Sequence, residues 1–179
     1  SEVERIEKES RDLNREIKEE AKRASEDNRR LLEDIRRKLE KVSEENKDLL
    51  RKIEEEMRRN SEKKEELRRL VKELDDKLTE ILKDLTRLVE ELDELLKEVL
   101  KRLKDLLRED REEIDRARKE GVDEEIIKKL KRLTDETEKE LEKLIRKNEK
   151  ENRDLEREIR RLIKENRDRN RELKKRAED

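Results

Sequence analysis

The chain lacks the residue types on which most protein chemistry depends. Among its 179 residues there is no Cys, His, Pro, Phe, Tyr or Trp, and there is one Gly. Without Cys and His there can be no disulfide, no thiolate or imidazole catalysis and none of the common zinc sites. Without aromatic side chains there is no stacking platform for bases, and a single glycine cannot build a phosphate-binding loop. The composition therefore argues against an enzyme, and we expect no cofactor and no metal.

Charged residues make up 63% of the chain, yet 55 Lys and Arg nearly balance 57 Asp and Glu, for a net charge of -2. Leu, Ile and Val together exceed the roughly 20% floor expected of disordered chains. The two signs are finely interleaved, which favours ion pairs between successive helical turns. The balanced charge predicts no nucleic-acid partner, and the absence of an apolar stretch of about 20 residues predicts no membrane partner. We expect a soluble protein without a targeting signal or native location, cytoplasmic when expressed recombinantly.

Apolar residues recur at helical spacing along almost the whole chain. The positions follow an 18-residue repeat, which corresponds to five turns of a straight helix. Two such series are Leu13, Leu31, Leu49 and Ile17, Ile35, Ile53. A strict seven-residue repeat would instead force a left-handed supercoil. The pattern predicts long, essentially untwisted amphipathic α-helices.

One helix end is easy to place. Gly121, the only glycine, suits the left-handed residue that closes a helix, and Asp123 suits the N-cap of the next one. Glu124 and Glu125 then lie where the helix dipole favours negative charge.

A second helix end is less obvious, because the apolar pattern runs through Asn60 and Ser61. One helix from residue 2 to residue 119 is therefore an alternative. Arg58 and Arg59 nevertheless suit a C-terminus, Asn60 tolerates the left-handed conformation, and Ser61 can cap a second helix.

Polar residues that interrupt the apolar positions support the break at residue 60. They share the 18-residue repeat, and we predict two layers in which they meet, since buried polar groups need partners. The first layer comprises Asn28, Asp93, Asn148 and Asn152, and the second Asn46, Asp75, Asn166 and Asn170. Pairing these residues between neighbouring segments gives antiparallel hairpins centred at 60.5 and 120.5. The sequence thus predicts a single domain, a long antiparallel three-helix bundle with helices near 2–59, 62–119 and 123–178, each roughly 85 Å long.

The two layers are the only candidate sites, and a structural role is the better interpretation. One carboxylate among neutral amides is too few charged ligands for Mg²⁺ or Ca²⁺, and no second carboxylate supplies an acid–base pair. We expect the amides to donate to the Asp oxygens and so to fix helix register. Other polar residues on the apolar stripes either extend the hydrogen bonding or lie at the core boundary, and the boundary is the better interpretation for each taken singly: Asn14, Ser25, Ser43, Thr79, Thr86, Thr134 and Thr137.

In these features the chain resembles de novo designed helical bundles with ideal straight helices and buried hydrogen-bond networks. The resemblance rests on the 18-residue repeat, the three equal helices, the Asn/Asp layers, the loop sequence KEGVDEEI at 119–126 and the capping-box pattern from Ser1 to Glu4. It implies a scaffold without evolved activity and with a thermal midpoint above about 90 °C. A monomer that needs no partner is favoured, because every apolar stripe could be buried within one chain. The alternative is an assembly module, either a homo-oligomer or a component of a designed helical complex.

Overall fold

A computed structural model describes the backbone of residues 1–178 and the side chains of residues 1–176. Over these residues the chain forms three α-helices: α1, Glu2–Arg59; α2, Lys64–Lys119; and α3, Glu124–Glu178. A short 3₁₀ turn, Ser61–Lys63, precedes α2. The three-helix prediction is confirmed, with bounds that differ by no more than two residues, and the alternative of one helix from 2 to 119 is wrong.

The helices are amphipathic, as their apolar spacing requires. Buried Leu, Ile and Val side chains follow the inner face of each helix, and the outer faces carry ion pairs between neighbouring turns. Two examples are Arg58–Glu54, at 3.1 Å, and Lys97–Asp93, at 2.8 Å. Exposed pairs of this kind contribute about 0.3–0.5 kcal/mol each. The apolar faces, rather than the surface charges, therefore provide most of the stability.

The turn at Asn60 lies where the sequence places it but has a different geometry. Asn60 has extended backbone angles, φ -137° and ψ 94°, rather than the left-handed conformation that we expected. Its side-chain Oδ1 accepts a hydrogen bond from the backbone N–H of Glu62 at 3.2 Å. Asn60 itself is therefore the cap, and Ser61 lies inside the 3₁₀ turn. The correction has a physical reason: an extended Asn can satisfy the free N–H groups of the following turn without a positive φ.

The second turn matches the prediction. Gly121 has φ +96°, and its N–H donates to the carbonyl of Arg118 while the N–H of Val122 donates to that of Ala117. This is the Schellman arrangement, in which a left-handed residue ties back the last turn of a helix. Val122 and Ala117 also pack in one apolar cluster. Asp123 then caps α3, since its side chain and carbonyl accept bonds from the first N–H groups of that helix.

The chain divides into two compact units, each built from all three helices. The first comprises Ser1–Arg30 and Leu92–Glu151, and the second comprises Leu31–Glu91 and the chain from Asn152 onward. The predicted single domain stays a prediction, for which one cooperative unfolding transition is expected.

In the first unit, α1 and α3 run parallel, because their contacts keep a nearly constant separation along the chain. Ser25 contacts Asn148 and Arg29 contacts Glu151, which are 123 and 122 residues apart. The helix α2 runs antiparallel to both, and its buried Leu96, Leu100, Leu103 and Leu107 pack against Ile17, Ala21 and Leu141. A second apolar cluster of this unit lies beside the Gly121 turn.

The second unit shows the same arrangement. The α1–α3 hydrogen bonds Asn46–Asn166 and Glu54–Arg176 span 120 and 122 residues. A cluster of Leu50, Ile53, Met57, Val71 and Leu173 closes the core near the Asn60 turn. Elsewhere in this unit Leu39, Leu82, Leu155 and Ile159 are fully buried.

Replacing Gly121 with Ala should lower the free energy of unfolding by about 1–2 kcal/mol, because an L-residue is strained at this positive φ. No atom lies within 4 Å of the position that the new Cβ would take, so backbone strain is the only expected cost. Chemical denaturation measures the difference, and the neighbouring Glu120→Ala variant is the control. Equal stability of the Gly121→Ala variant and the parent would show that the turn does not need the left-handed residue.

Leu82 is fully buried, whereas 59% of Leu95 on the same helix is exposed. Leu82→Ala should therefore cost about 2–5 kcal/mol by leaving a cavity. The matched Leu95→Ala change should cost less than about 1 kcal/mol. Guanidinium denaturation of both variants tests the assigned inner face of α2, and similar losses for the two would contradict it.

Candidate functional site: a buried polar network

Four polar side chains from all three helices meet in the core of the first unit around the carboxylate of Asp110. The Ser10 hydroxyl donates to Asp110 Oδ2 at 2.9 Å, and Asn14 Nδ2 and Thr134 Oγ1 lie 3.4 Å from the same oxygen. All four residues are buried, and none is more than 7% exposed. We call Ser10, Asn14, Asp110 and Thr134 the Asp110 network.

Two members of the network are held by their own helices. Asn14 Nδ2 donates to the carbonyl of Ser10 at 2.7 Å, and Thr134 Oγ1 donates to the carbonyl of Leu130 at 2.8 Å. The amide of Asn14 has two protons and serves both of its acceptors, but a hydroxyl has only one. Thr134 therefore donates chiefly to Leu130, and Ser10 provides the best-formed bond to Asp110.

Burial raises the pKa of Asp110 above its ordinary value. The hydrogen bonds from Ser10, Asn14 and Thr134 lower this pKa, and the nearby negative charge of Glu113 raises it further, but the loss of solvation is the largest effect. Removal from water disfavours the charged form of a carboxyl group. The network thus stabilises the Asp110 carboxylate only in part.

The next residue of α2 ties that helix to α3 at the surface. Arg111 Nη2 donates to Asp135 Oδ1 at 2.9 Å and also to Glu138 Oε2. The bond to Glu138 is the main reason that the pKa of Arg111 is raised, against the opposing effect of burial. A half-exposed ion pair therefore lies directly beside the buried carboxylate.

The two layers predicted from the sequence do not include this network, although the 18-residue repeat passes through two of its members. One repeat before Asn28 is Ser10, and one repeat before Asn152 is Thr134. One repeat after Asp93 is Arg111, so the carboxylate of Asp110 lies one position away from the repeat. Because of this displacement by one position, a strict 18-residue repeat does not identify the Asp110 network.

In the predicted second layer the structure joins two of the four residues. Asn46 Nδ2 donates to Asn166 Oδ1 at 3.3 Å, and Asn46, Asn166 and Asn170 are buried. Asp75 is only half-buried. Asn166 Nδ2, Asn170 Oδ1 and Asp75 Oδ1 have no hydrogen-bond partner among the described residues. The four-residue layer therefore stays a prediction.

In the predicted first layer Asn28, Asn148 and Asn152 are buried, whereas Asp93 is half-buried. Asp93 Oδ2 forms an ion pair with Lys97 of the same helix at 2.8 Å. Asn148 Oδ1 accepts a hydrogen bond from the Ser25 hydroxyl at 3.1 Å. This bond brings in a residue outside the predicted layer, and the layer itself stays a prediction.

The assignment of the smaller polar residues to the core boundary is wrong for most of them. Thr79 and Thr86 are half-buried, as expected. Fully buried instead are Asn14, Ser25, Ser43, Thr134 and Thr137. A Thr in a helix can satisfy its hydroxyl with the carbonyl four residues earlier, as Thr137 does with Leu133 at 3.0 Å. Such residues can therefore be buried without a partner from another helix, which sequence spacing alone does not reveal.

The Asp110 carboxylate lies apart from three surface grooves of the chain. Grooves of about 270, 300 and 470 Å³ lie on the described surface, and neither Asp110 nor any predicted layer residue lines one of these three. Among residues 1–176, whose side chains the structure describes, no group of three or more Asp or Glu side chains is placed to hold a metal ion. Within the same part of the chain, no helix is apolar over enough of its length to cross a bilayer. The geometry of the network favours a structural role.

No family model and no curated protein matches the chain. One similar solved structure is described as a computationally designed three helix bundle. It shares 22% sequence identity over 99% of this chain and 86% of its own, with a TM-score of 0.43. Values this low assign neither a family nor a function.

The raised pKa of Asp110 predicts a pH dependence that an Asp110→Asn variant should remove. A carboxyl whose pKa is higher in the folded state binds its proton more tightly there, so the free energy of unfolding falls as pH rises through that pKa. The free energy of unfolding of Asp110→Asn, relative to that of the parent, should therefore be higher at pH 7 than near pH 3. Chemical denaturation across this range measures it. Asp76→Asn, at an exposed site, controls for the loss of one negative charge. If the stability difference between Asp110→Asn and the parent does not vary with pH, the raised pKa of Asp110 is contradicted.

Proposed function

We propose that this chain is a designed structural scaffold in which buried polar side chains fix the register of the three helices. The observation that carries the proposal is the Asp110 network, where Ser10 and Asn14 of α1 and Thr134 of α3 converge on one carboxylate of α2. The network lies in a core in which aliphatic side chains outnumber polar ones. No group in it is placed to bind or transform a ligand.

Three features support a designed origin. The helices are almost equal, with 58, 56 and 55 residues. Their apolar and polar positions share one 18-residue repeat, and the surface consists almost entirely of Glu, Lys, Arg and Asp. Designed bundles use ideal straight helices and mixed surface charges for stability and solubility. The chain's lack of His and Cys, together with the burial of Asp110, supports a protein without catalytic activity.

Leucine packing alone distinguishes poorly between registers of the helices. A polar network can therefore determine which register forms. A slip of one helical turn, about 5.4 Å, still places apolar residues against apolar residues. The same slip would face Asp110 with aliphatic side chains, and a buried polar group without partners costs about 1–3 kcal/mol or more when charged. The predicted layers around Asn28 and Asn46 would add the same penalty elsewhere along the helices. Register is thus the property that we assign to the polar residues.

Spin labels on α1 and α2 test this proposal directly. Cysteines replacing the exposed Glu19 and Arg116, both in the first unit, carry the labels, and the chain has no other thiol. The two sites are offset by about 20 Å along the helix axis, so that a slip of one turn changes the distance between them. The parent should give one narrow distance distribution in pulsed dipolar spectroscopy. A variant with Ser10→Ala, Asn14→Leu, Asp110→Leu and Thr134→Val should stay folded but give a broader distribution or a second population shifted by about 5 Å.

The control is Leu100→Ala in the same labelled background, because Leu100 is a buried aliphatic residue of the same unit. It should lower stability by about 2–5 kcal/mol while keeping the distance distribution of the parent. If the all-apolar variant also keeps the narrow distribution of the parent, the network does not set register and the proposal fails.

A further inference from the structure

Five large apolar side chains of the second unit lie exposed. They are Leu31, Leu49, Leu70, Ile81 and Leu88, each between 42% and 46% exposed. This differs from the expectation that one chain would bury every apolar stripe. Single exposed leucines are common in soluble proteins, but apolar residues grouped on one face mark an interaction surface. The positions of these five on α1 and α2 decide between the two cases.

On α1 the exposed leucines lie on the side away from α3. The α3-facing side is marked by Arg36, which pairs with Glu158, and by Glu54, which pairs with Arg176. Leu31 lies five residues before Arg36, and Leu49 lies five residues before Glu54. Five residues correspond to a rotation of about 140° around the helix. They therefore lie on the flank of α1 that borders α2.

On α2 the exposed leucines also lie away from α3. The α3-facing side of this helix is marked by Asp115, which pairs with Lys131 at 3.1 Å. Positions nine residues apart lie on opposite sides of a helix, and positions one 18-residue repeat apart lie on the same side. Leu106 is nine residues before Asp115, and Leu88 and Leu70 precede Leu106 by one and two repeats. Leu70 and Leu88 thus share the flank that borders α1.

The Asn60 turn places the four leucines at matching levels. The midpoint between positions 49 and 70 is 59.5, and the midpoint between positions 31 and 88 is also 59.5, beside Asn60. Leu49 is thus level with Leu70, and Leu31 is level with Leu88. The four leucines mark the corners of a rectangle, which we call the leucine face, and Ile81 lies within its length.

We propose that the leucine face is a self-association surface that pairs with the same face of a second copy of this chain. A rectangle of identical corners is self-complementary under a two-fold rotation, as a closed homodimer requires. With the axis parallel to the helices, Leu31 lies over Leu88 of the second copy, and Leu49 lies over Leu70 of the second copy. Every leucine then meets a leucine.

The charges beside the leucine face are of both signs. Lys38 and Glu45 of α1 and Lys77 and Asp84 of α2 are exposed. Under the two-fold rotation Lys38 comes within three residues of Asp84 of the second copy, and Glu45 comes within three residues of Lys77 of the second copy. Asp34 and Glu45 also come within one residue of Asp84 and Glu73 of the second copy, so both opposite and like charges meet, and the leucines rather than the charges set the pairing. The same mixture of signs disfavours a nucleic acid or an anionic membrane, which require a basic surface.

The size of the leucine face suits a reversible dimer. One 18-residue repeat of helix is about 27 Å long, and two helices side by side are about 20 Å wide. The pair of faces would bury about 1,100 Å² in total, close to the lower limit for a specific interface. We therefore expect monomer and dimer to exchange with a dissociation constant in the micromolar range. The proposed scaffold function does not depend on this association.

Sedimentation equilibrium of the full chain from about 1 µM to about 1 mM tests the inference. The parent should shift from one to two monomer masses over this range. The variant Leu31→Gln, Leu49→Gln, Leu70→Gln and Leu88→Gln should stay helical by circular dichroism, since the four sites are exposed, and should weaken the dimer at least about tenfold. A parent that stays monomeric throughout would overturn the proposal.

A matched control places four Gln at exposed, charge-balanced positions on α3 of the second unit, which contributes no residue to the leucine face: Lys164→Gln, Glu165→Gln, Arg167→Gln and Asp168→Gln. These changes should leave the dissociation constant within about threefold of the parent value. If the control weakens association as much as the fourfold variant, or if the fourfold variant associates like the parent, the assignment to the leucine face is wrong.

Discussion

The structure depends on the requirement that a polar group removed from water must find a partner within the fold. Leucine and isoleucine side chains supply a long apolar seam, but such a seam has many nearly equivalent alignments. In the first unit the Asp110 carboxylate accepts its best-formed hydrogen bond from Ser10, and Asn14 and Thr134 lie close to the same oxygen. The apolar positions drive the helices to pack together, and we propose that the polar positions select where along their length they do so.

The surface has a different role. Its ion pairs connect neighbouring turns of one helix or neighbouring helices, and most are largely exposed, so that each contributes little to stability. The ion pairs of Arg111 differ from the others in location, since its bonds to Asp135 and Glu138 lie beside the buried Asp110. The surface charges pair locally and leave the selection of the helix arrangement to the core.

Spacing in the sequence predicts three helices and their order, because helical periodicity and the Gly121 turn are local signals. It predicts the parallel register of α1 and α3 to within three residues, as the contacts Ser25–Asn148 and Asn46–Asn166 show. Spacing fails where side chains choose among partners. Asn60 caps its turn in an extended conformation, and the carboxylate of the Asp110 network lies one position off the repeat, because a short side chain can reach its donors from either position. Sequence spacing also does not identify buried hydroxyl groups that donate to a carbonyl of their own helix.

The most direct test of the account uses the side-chain amides. The chain has eight Asn and no Gln, so every side-chain carboxamide NH₂ signal in a ¹⁵N NMR spectrum comes from Asn. Seven of the eight are buried, and Asn60 at the turn is the eighth. If buried polar groups hold the helices in register, the amide protons of Asn14 and the other six should exchange with deuterium far more slowly than those of Asn60. Exchange of Asn14 at the rate of Asn60 would mean that the core is open to water there, and would contradict the account.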